Sequence, residues 1–359
     1  MSANQSPLVL ITGGAGFIGA LTGNCLIKAG YRVRVLDILL DLIHPTQCRP
    51  AHLHPAIELV VGDVCDAEVV RQVLDGVSYV YHFASLTATG QSMSQVQAYF
   101  HTNVTGTATL WQEIQRKGTQ IKKVILASSR AVYGEGQYDC EQCGVIYPPS
   151  RTAVQLQARA WWVACPHCGQ QVSATLTPED APMQPASVYG LTKRLQEETC
   201  QLMGMQLNIP IVILRYFNVY GAHQAASNPY TGVLIHFLSR LRRGEPAILF
   251  EEGFPQRDFI HVDDIVEANL AALTLTDQNP VVVLNVGSGQ TVSLAEVAEK
   301  LAEQMGQVDA VRSTSHFRLG DIFCGLADLR NVKNTLGFQP SIFIDEGIFR
   351  LVTETATLV

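Results

Sequence analysis

The chain has 359 residues, of which 47% are hydrophobic and 16% charged, a balance that builds a large packed core and argues against disorder. A formal net charge of -7 argues against a broad nucleic-acid surface, while leaving room for a local basic pocket that holds a small anion. The longest apolar runs, such as "PVVVLNV" from Pro280, are too short to span a bilayer, and "MSANQSPLVL" lacks a basic flank before an apolar core, so a cytoplasmic protein without membrane contact is expected.

In chain order, the apolar run "LVLITG" is followed by glycines and a helical stretch over Phe17–Ala29. "YRVRVLD", "IELVVGD", "VSYVYHFAS" and "KKVILASS" read as strands two to five, with helices at Ala67–Leu74 and roughly Ser92–Gln115 between them. Strands separated by helices imply βαβ units and a parallel sheet with right-handed crossovers. A helix from about Ser187 to Leu207 and the strand "IPIVILRYFN" continue the pattern, as do a helix over Val262–Leu273 and a strand over Val281–Val286. Segments 222–256 and 288–327 are less regular and are assigned to a smaller substrate lobe.

Gly13, Gly16 and Gly19 lie between the first strand and first helix, with Phe17 and Ile18 opening that helix. The spacing is G-x-x-G-x-x-G; glycines there allow a tight turn, close approach of backbone to a pyrophosphate, and close helix–strand packing. Asp37 ends the second strand, where a carboxylate accepts hydrogen bonds from ribose hydroxyls and repels a 2′-phosphate, so NAD is preferred over NADP. No Lys-Ser/Thr follows the glycines as in a P-loop. Tyr189 and Lys193 stand at i, i+4 on one helix face, where an ammonium is expected to lower the phenol pKa towards neutrality.

TGGAGFIG, Gly62-Asp63-Val64, Tyr81-His82-Phe83-Ala84-Ser85, Asn103 in "TNVTGT" and Ser129-Arg130-Ala131-Val132-Tyr133-Gly134 together resemble the extended short-chain dehydrogenases/reductases, the NAD-dependent epimerase/dehydratase family. The resemblance runs over nearly the whole chain outside residues 138–175. It implies a Rossmann-type doubly wound parallel sheet with a smaller C-terminal substrate lobe. Residues 1–221 form the NAD-binding domain with a 138–175 insert, 222–256 and 288–327 the lobe, 257–287 a return to the sheet domain, and 328–359 a C-terminal helical segment. Asp63, Val64, Phe83, Ala84, Ser85 and Asn103 are implied to line or support the cofactor, and Ser129, Tyr189 and Lys193 to be catalytic. Thr87, Ser129, Arg130, Asn218, Arg257, Arg318 and Asp321 are implied to face a nucleotide sugar, with Arg257 and Arg318 on its diphosphate.

Arg130-Ala131 stand where the family's 4,6-dehydratases carry Asp-Glu. Neither residue serves as an acid/base pair for dehydration, so the expected reaction is NAD-dependent 4-epimerisation through a transient keto sugar. Decarboxylases and reductases of the family are alternatives, as is a non-catalytic cofactor-binding sensor or scaffold. "TATGQSMSQ" (87–95), "SNPYTGVLIHFLSRLRRG" and the cysteine-bearing insert resemble a subgroup that includes dTDP-L-rhamnose 4-epimerases; UDP-glucose/galactose epimerisation is the rival. The family also suggests a homodimer that pairs helices near 92–115 and 187–207.

Cys140-Glu-Gln-Cys143 and Cys165-Pro-His-Cys168 are two knuckles, each followed by a glycine, Gly144 and Gly169. Four thiolates at this spacing predict a closed tetrahedral zinc site of structural type, a zinc ribbon inserted in the α/β fold. Asp139 and Glu141 balance Arg151 and Arg159 in the insert, so it is not a basic nucleic-acid patch.

Overall fold

Strand β1 (Leu8–Thr12) is buried at all five positions, so it needs cover on both faces and crossover connections to its neighbours. The computed structural model describes residues 6–118, 121–224, 232–276 and 279–356; residues 227–231, the start of "SNPYTGVLIHFLSRLRRG", lie outside them. β1 pairs in parallel with β2 (Arg32–Asp37) and with β4 (Val77–His82). Beyond β2 lies β3 (Glu58–Val61). Beyond β4 lie β5 (Lys123–Ser129), β6 (Ile211–Tyr216) and β7 (Val281–Val286). The order is β3-β2-β1-β4-β5-β6-β7, and the chain's change of direction between β1 and β4 opens a crevice at their carboxyl ends.

Helices α1 (Phe17–Lys28) and α5 (Val262–Thr274) cover one face, placing Ala20, Leu26, Ile265 and Ala268 against Val9, Ile11, Leu214 and Leu284. On the other face α2 (Ala67–Val73), α3 (Gly106–Lys117) and α4 (Val188–Leu207) bring Val70, Leu110, Trp111 and Cys200 onto Leu10, Val80, Leu126 and Ile213. The single helix expected over Ser92–Gln115 is broken. Short turns at Thr89–Ser92 and Val96–Tyr99 run into a π-helical stretch, Phe100–Thr105, before α3 begins. A π stretch widens the turn by one residue, and it is there that Asn103 turns inward to its buried partners.

The segments expected to be irregular contain two well-formed helices, Val233–Arg242 and Leu294–Gln304. The second starts with a capping box in which Ser293 Oγ accepts from Glu296 N at 3.1 Å and the Glu296 carboxylate accepts from Ser293 N at 2.8 Å. That Ser-x-x-Glu signal was present in the sequence. Strands Ala247–Leu249 and Val311–Ser313 pair beside them. The C-terminal segment divides between the two cores. Val332, of helix Arg330–Leu336, joins the sheet domain, whereas Ile348 and Leu351, of helix Ile344–Ala356, pack with Phe237, Leu238 and Leu301 of the lobe.

At Phe217 the chain leaves the sheet, and Asn218–Tyr220 pairs instead with Phe259–His261. The insert is a three-stranded antiparallel ribbon of Tyr138–Cys140, Gly144–Ile146 and Ser173–Ala174. Its small core of Tyr138, Ile146, Val163 and Val172 closes against Phe323 and Cys324 of the lobe. Among the described residues, no helix is long and apolar enough to cross a membrane.

Candidate active site

β1 passes into α1 through a loop that has no room for side chains. Gly13 has φ +69°, and a Cβ on it would lie 2.7 Å from the backbone nitrogen of Ala84. A Cβ on Gly19 would come within 2.6 Å of the Gly13 carbonyl oxygen. The helix begins at Gly16 without a side-chain cap, so the first amides, at Phe17 and Ile18, are presented as an anion site at the positive end of the helix. At the end of β2, Asp37 accepts from Ala15 N at 3.0 Å and from Leu39 N at 2.9 Å. The carboxylate thus braces the glycine loop and stays half-exposed at the crevice. Asp63 accepts from Cys65 N at 2.8 Å, beside buried Val64.

The loop after β4 forms the opposite wall. Phe83 N donates to Thr12 O at 3.0 Å and Ala84 N to Thr12 Oγ1 at 3.2 Å. His82 lies between Thr12 Oγ1 and Thr107 Oγ1, 2.8 Å from each; burial lowers its pKa to about 3, so it is a neutral strut. Ser85 is half-buried and Thr87 exposed at the rim, the Thr87 carbonyl receiving the Tyr99 hydroxyl. Asn103 is not open to this crevice. It is 0% exposed, accepts from Leu86 N at 2.8 Å and donates to Leu86 O at 3.0 Å and Thr192 Oγ1 at 2.9 Å. Its polar groups tie the Ser85–Thr87 loop to α4, the arrangement of a residue that supports the site from behind.

Ser129 ends β5, and Tyr189 opens α4. Close approach brings them together, since a Cβ on Gly190 would stand 2.4 Å from the Ala131 carbonyl oxygen. Ser187 Oγ caps α4 by accepting from Gly190 N at 3.1 Å. Ser129 accepts from Ala131 N at 3.2 Å, and its hydroxyl on the Tyr189 side favours ionisation of that phenol. Lys193 is buried one turn further on and donates to the Ala127 carbonyl at 2.8 Å. The electrostatics differ from the expectation. Burial raises the Tyr189 pKa, the Ser129 hydroxyl opposing it, and burial lowers Lys193 to about 7. The protein alone therefore disfavours both charged forms in this crevice.

Beneath the triad lies a buried network that the sequence reading missed. Glu197 accepts from Arg215 Nε at 2.9 Å and Nη2 at 2.7 Å, and receives the Ser128 hydroxyl. Arg215 also donates to Tyr133 Oη at 2.8 Å, and Tyr133 donates to Asn285 at 2.7 Å. The network locks the Arg130–Tyr133 turn, α4 and β6 together. Tyr189, Lys193 and Glu197 at i, i+4 and i+8 form one helical stripe, a signal that could have found Glu197.

Across the crevice, Arg257 is buried and donates to Asp321 Oδ1 at 2.8 Å and to the Phe323 carbonyl at 3.2 Å. Arg130 donates to the Gly134 carbonyl, and its buried Nε has no hydrogen-bond partner. Burial, and then repulsion from Arg257, lowers the Arg130 pKa to about 10. Adjacent guanidiniums held this way favour an anion between them. Asn218 Oδ1 is likewise buried and unpartnered. Arg318 is exposed, its guanidinium 5.0 Å from the Phe250 ring centre.

The four paired cysteines converge at one end of the ribbon. Their sulfurs all lie within 4.8 Å of one another, with Cys140 and Cys168 at 3.5 Å. Cys143 N donates to Cys140 O at 3.2 Å and Gly169 N to Cys165 O at 2.9 Å, and the two knuckles turn at Gly144 and Gly169, at φ +74° and +76°.

The chain is similar to known proteins over nearly all of its length. A dTDP-L-rhamnose 4-epimerase of Burkholderia thailandensis is 35% identical over 351 residues, covering 96% of this chain and 94% of its own. A putative UDP-glucose 4-epimerase of Methanocaldococcus jannaschii is 29% identical, covering 96% of this chain and 97% of its own. The structure of a Thermotoga maritima UDP-glucose 4-epimerase with UDP-glucose has a TM-score of 0.80 at 27% identity, over 98% of this chain and 100% of its own. That of the Thermus thermophilus UDP-glucose 4-epimerase complexed with NAD has a TM-score of 0.79 at 25% identity, with the same coverage. Residues 9–287 match the family model of the NAD dependent epimerase/dehydratases, and the chain belongs to that family.

Proposed function

We propose that this protein is an NAD-dependent nucleotide-sugar 4-epimerase, and that its substrate pair is dTDP-L-rhamnose and dTDP-6-deoxy-L-talose. The observation that carries the reaction is the seating of the Ser129 turn against the start of α4 at Gly190, with Tyr189 there, Lys193 one turn on donating to the Ala127 carbonyl, and Arg130-Ala131 rather than two acids after Ser129. The glycine cradle and the Asp37 carboxylate fit a dinucleotide, and a bound NAD supplies the hydride acceptor and donor. Tyr189 takes the proton of the sugar C4 hydroxyl and later returns it. Ser129 steadies that oxygen throughout. Lys193, in its charged form, supports the tyrosinate. Arg257 and Arg130 hold the diphosphate, Asn218 offers it a contact, and Asp321 takes the nucleotide ribose. Such anchoring lets the 4-keto sugar turn over without leaving. The sugar assignment is supported by the 35% identical relative and by segment 87–95 with the cysteine-bearing insert.

The test incubates the enzyme separately with dTDP-L-rhamnose, UDP-glucose and UDP-galactose in D2O, without added reductant, and follows the sugar by NMR. A 4-epimer at equilibrium, with no net NADH and no deuterium at carbon four, is expected, because hydride never passes to water. Tyr189→Phe should lower turnover about 10²–10⁴-fold while the nucleotide sugar still binds. Deuterium at carbon four, or full activity of Tyr189→Phe, overturns the mechanism. Failure of dTDP-L-rhamnose alone overturns only the sugar.

We propose also that Cys140, Cys143, Cys165 and Cys168 hold a structural zinc ion: four thiolates close a tetrahedron and leave no position for substrate. A homodimer is proposed through Thr89–Lys117 and α4, where Met93, Val96, Leu202 and Met205 lie exposed.

A further inference from the structure

The insert sends one charged side chain into the interior. The Arg151 side chain is 1% exposed and lies between the carboxylates of Glu135 and Glu251, at 0% and 2%. Its Nε approaches Glu135 at 3.5 Å. Nη1 donates to Glu251 and, at 2.9 Å, to the Trp161 carbonyl within the insert. Nη2 donates to the Asp321 carbonyl at 3.1 Å, and the guanidinium lies 5.5 Å from the Phe323 ring centre.

Its two partners reach further. Glu135 follows the Ser129–Gly134 turn and accepts from Phe323 N at 2.9 Å and Tyr138 Oη at 3.1 Å. Glu251 belongs to the lobe, where its own amide donates to His316 O at 2.8 Å. Burial pushes both carboxyls up in pKa, and the Arg151 charge opposes this at each. One guanidinium therefore ties together the catalytic turn, the insert, the lobe and the Asp321–Phe323 loop. From the other side Arg257 grips the same loop, at the Asp321 carboxylate and the Phe323 carbonyl.

We propose that Arg151 is a positioning residue for nucleotide recognition. By joining Glu135 to Glu251 and holding the Asp321 carbonyl, it sets where the Asp321 carboxylate meets the nucleotide ribose and where the Arg257 guanidinium meets the diphosphate. The insert is thereby part of the substrate machinery. This rests on the proposed reading of Arg257 and Asp321 as part of the nucleotide site. A forked guanidinium is required, since a lysine offers a single point charge that does not span three segments at once.

The experiment compares full-length wild type with Arg151→Lys, Glu251→Gln and Arg257→Ala, titrating UDP, dTDP and NAD by calorimetry. Steady-state kinetics use whichever sugar nucleotide is turned over. Losing one charge-assisted bond should weaken nucleoside diphosphate binding roughly tenfold in Arg151→Lys and about threefold in Glu251→Gln. KM should rise in parallel while kcat stays within about twofold, and NAD affinity and metal content should match wild type. If Arg257→Ala binds UDP and dTDP as wild type does, the nucleotide-site reading fails. If Arg257→Ala is weakened while Arg151→Lys and Glu251→Gln are not, the positioning role alone is overturned. Equal loss of NAD and nucleotide in both variants marks a merely structural ion cluster, and also overturns it.

Discussion

Lys193 donates to the Ala127 carbonyl deep in the crevice, and burial lowers its pKa from 10.5 to about 7. Between those values the unfolded chain carries a proton that the folded, cofactor-free protein does not. Stability should therefore rise with pH from about 7 towards about 10.5. Lys193→Met removes the buried charge, so it should flatten that slope and raise the melting temperature of cofactor-stripped protein below pH 7, while abolishing turnover. Melting curves across this range check it, and an unchanged slope in the variant would show that Lys193 does not titrate there. Asp37 gives a second expectation. Its two oxygens accept from Ala15 N and Leu39 N, so Asp37→Asn removes the charge and one of these two acceptors. NAD binding should weaken about tenfold and discrimination against NADP should fall, both readable by titration. If wild type binds NADP as tightly as NAD, the role given to this carboxylate is wrong.

Among the elements, the ribbon is the one to which the proposed zinc should matter most. Its core is a handful of side chains around Tyr138, Ile146, Val163 and Val172, too few to offset the entropy of ordering the segment. Purified protein should contain about one zinc per chain. Cys165→Ser should lose the metal and expose the insert to proteolysis, with NAD binding retained because the glycine cradle lies elsewhere. Anaerobically purified protein without zinc or another thiophilic metal would sink this reading. Helix α4 depends instead on packing. Gly190 admits the Ala131 carbonyl, and Gly190→Ala should separate Tyr189 from Ser129 and lower kcat while leaving α4 folded, as circular dichroism would show.

For the whole molecule, Leu202 and Met205 are 65% and 52% exposed on α4, a face that a second copy would cover. Replacing both with glutamate should convert a dimer into monomers in sedimentation runs, with the triad intact because these residues lie far along the helix from Tyr189. A wild type that sediments as a monomer removes the dimer from the account.

Much of the site could be read from spacing alone, because short-range geometry is set by the local chain. Glycines at a strand–helix junction, an acid closing the second strand, Tyr189 and Lys193 one turn apart, and cysteines paired in knuckles each imply their local arrangement wherever the chain folds. The parallel sheet follows for the same reason, from apolar strands alternating with helices. What the tertiary structure decided concerns groups distant in sequence and their dielectric. It placed Ser129 against Tyr189 across the insert, and turned Asn103 away from the crevice into a brace between Leu86 and Thr192. It brought Arg215 from β6 onto Glu197, one turn beyond Lys193 on α4. It also set Arg151 between two carboxylates that no motif connects. Charge states belong to this second class. Whether Lys193 carries a proton depends on how much water and opposing charge surround it, and a helical repeat of four residues says nothing about either.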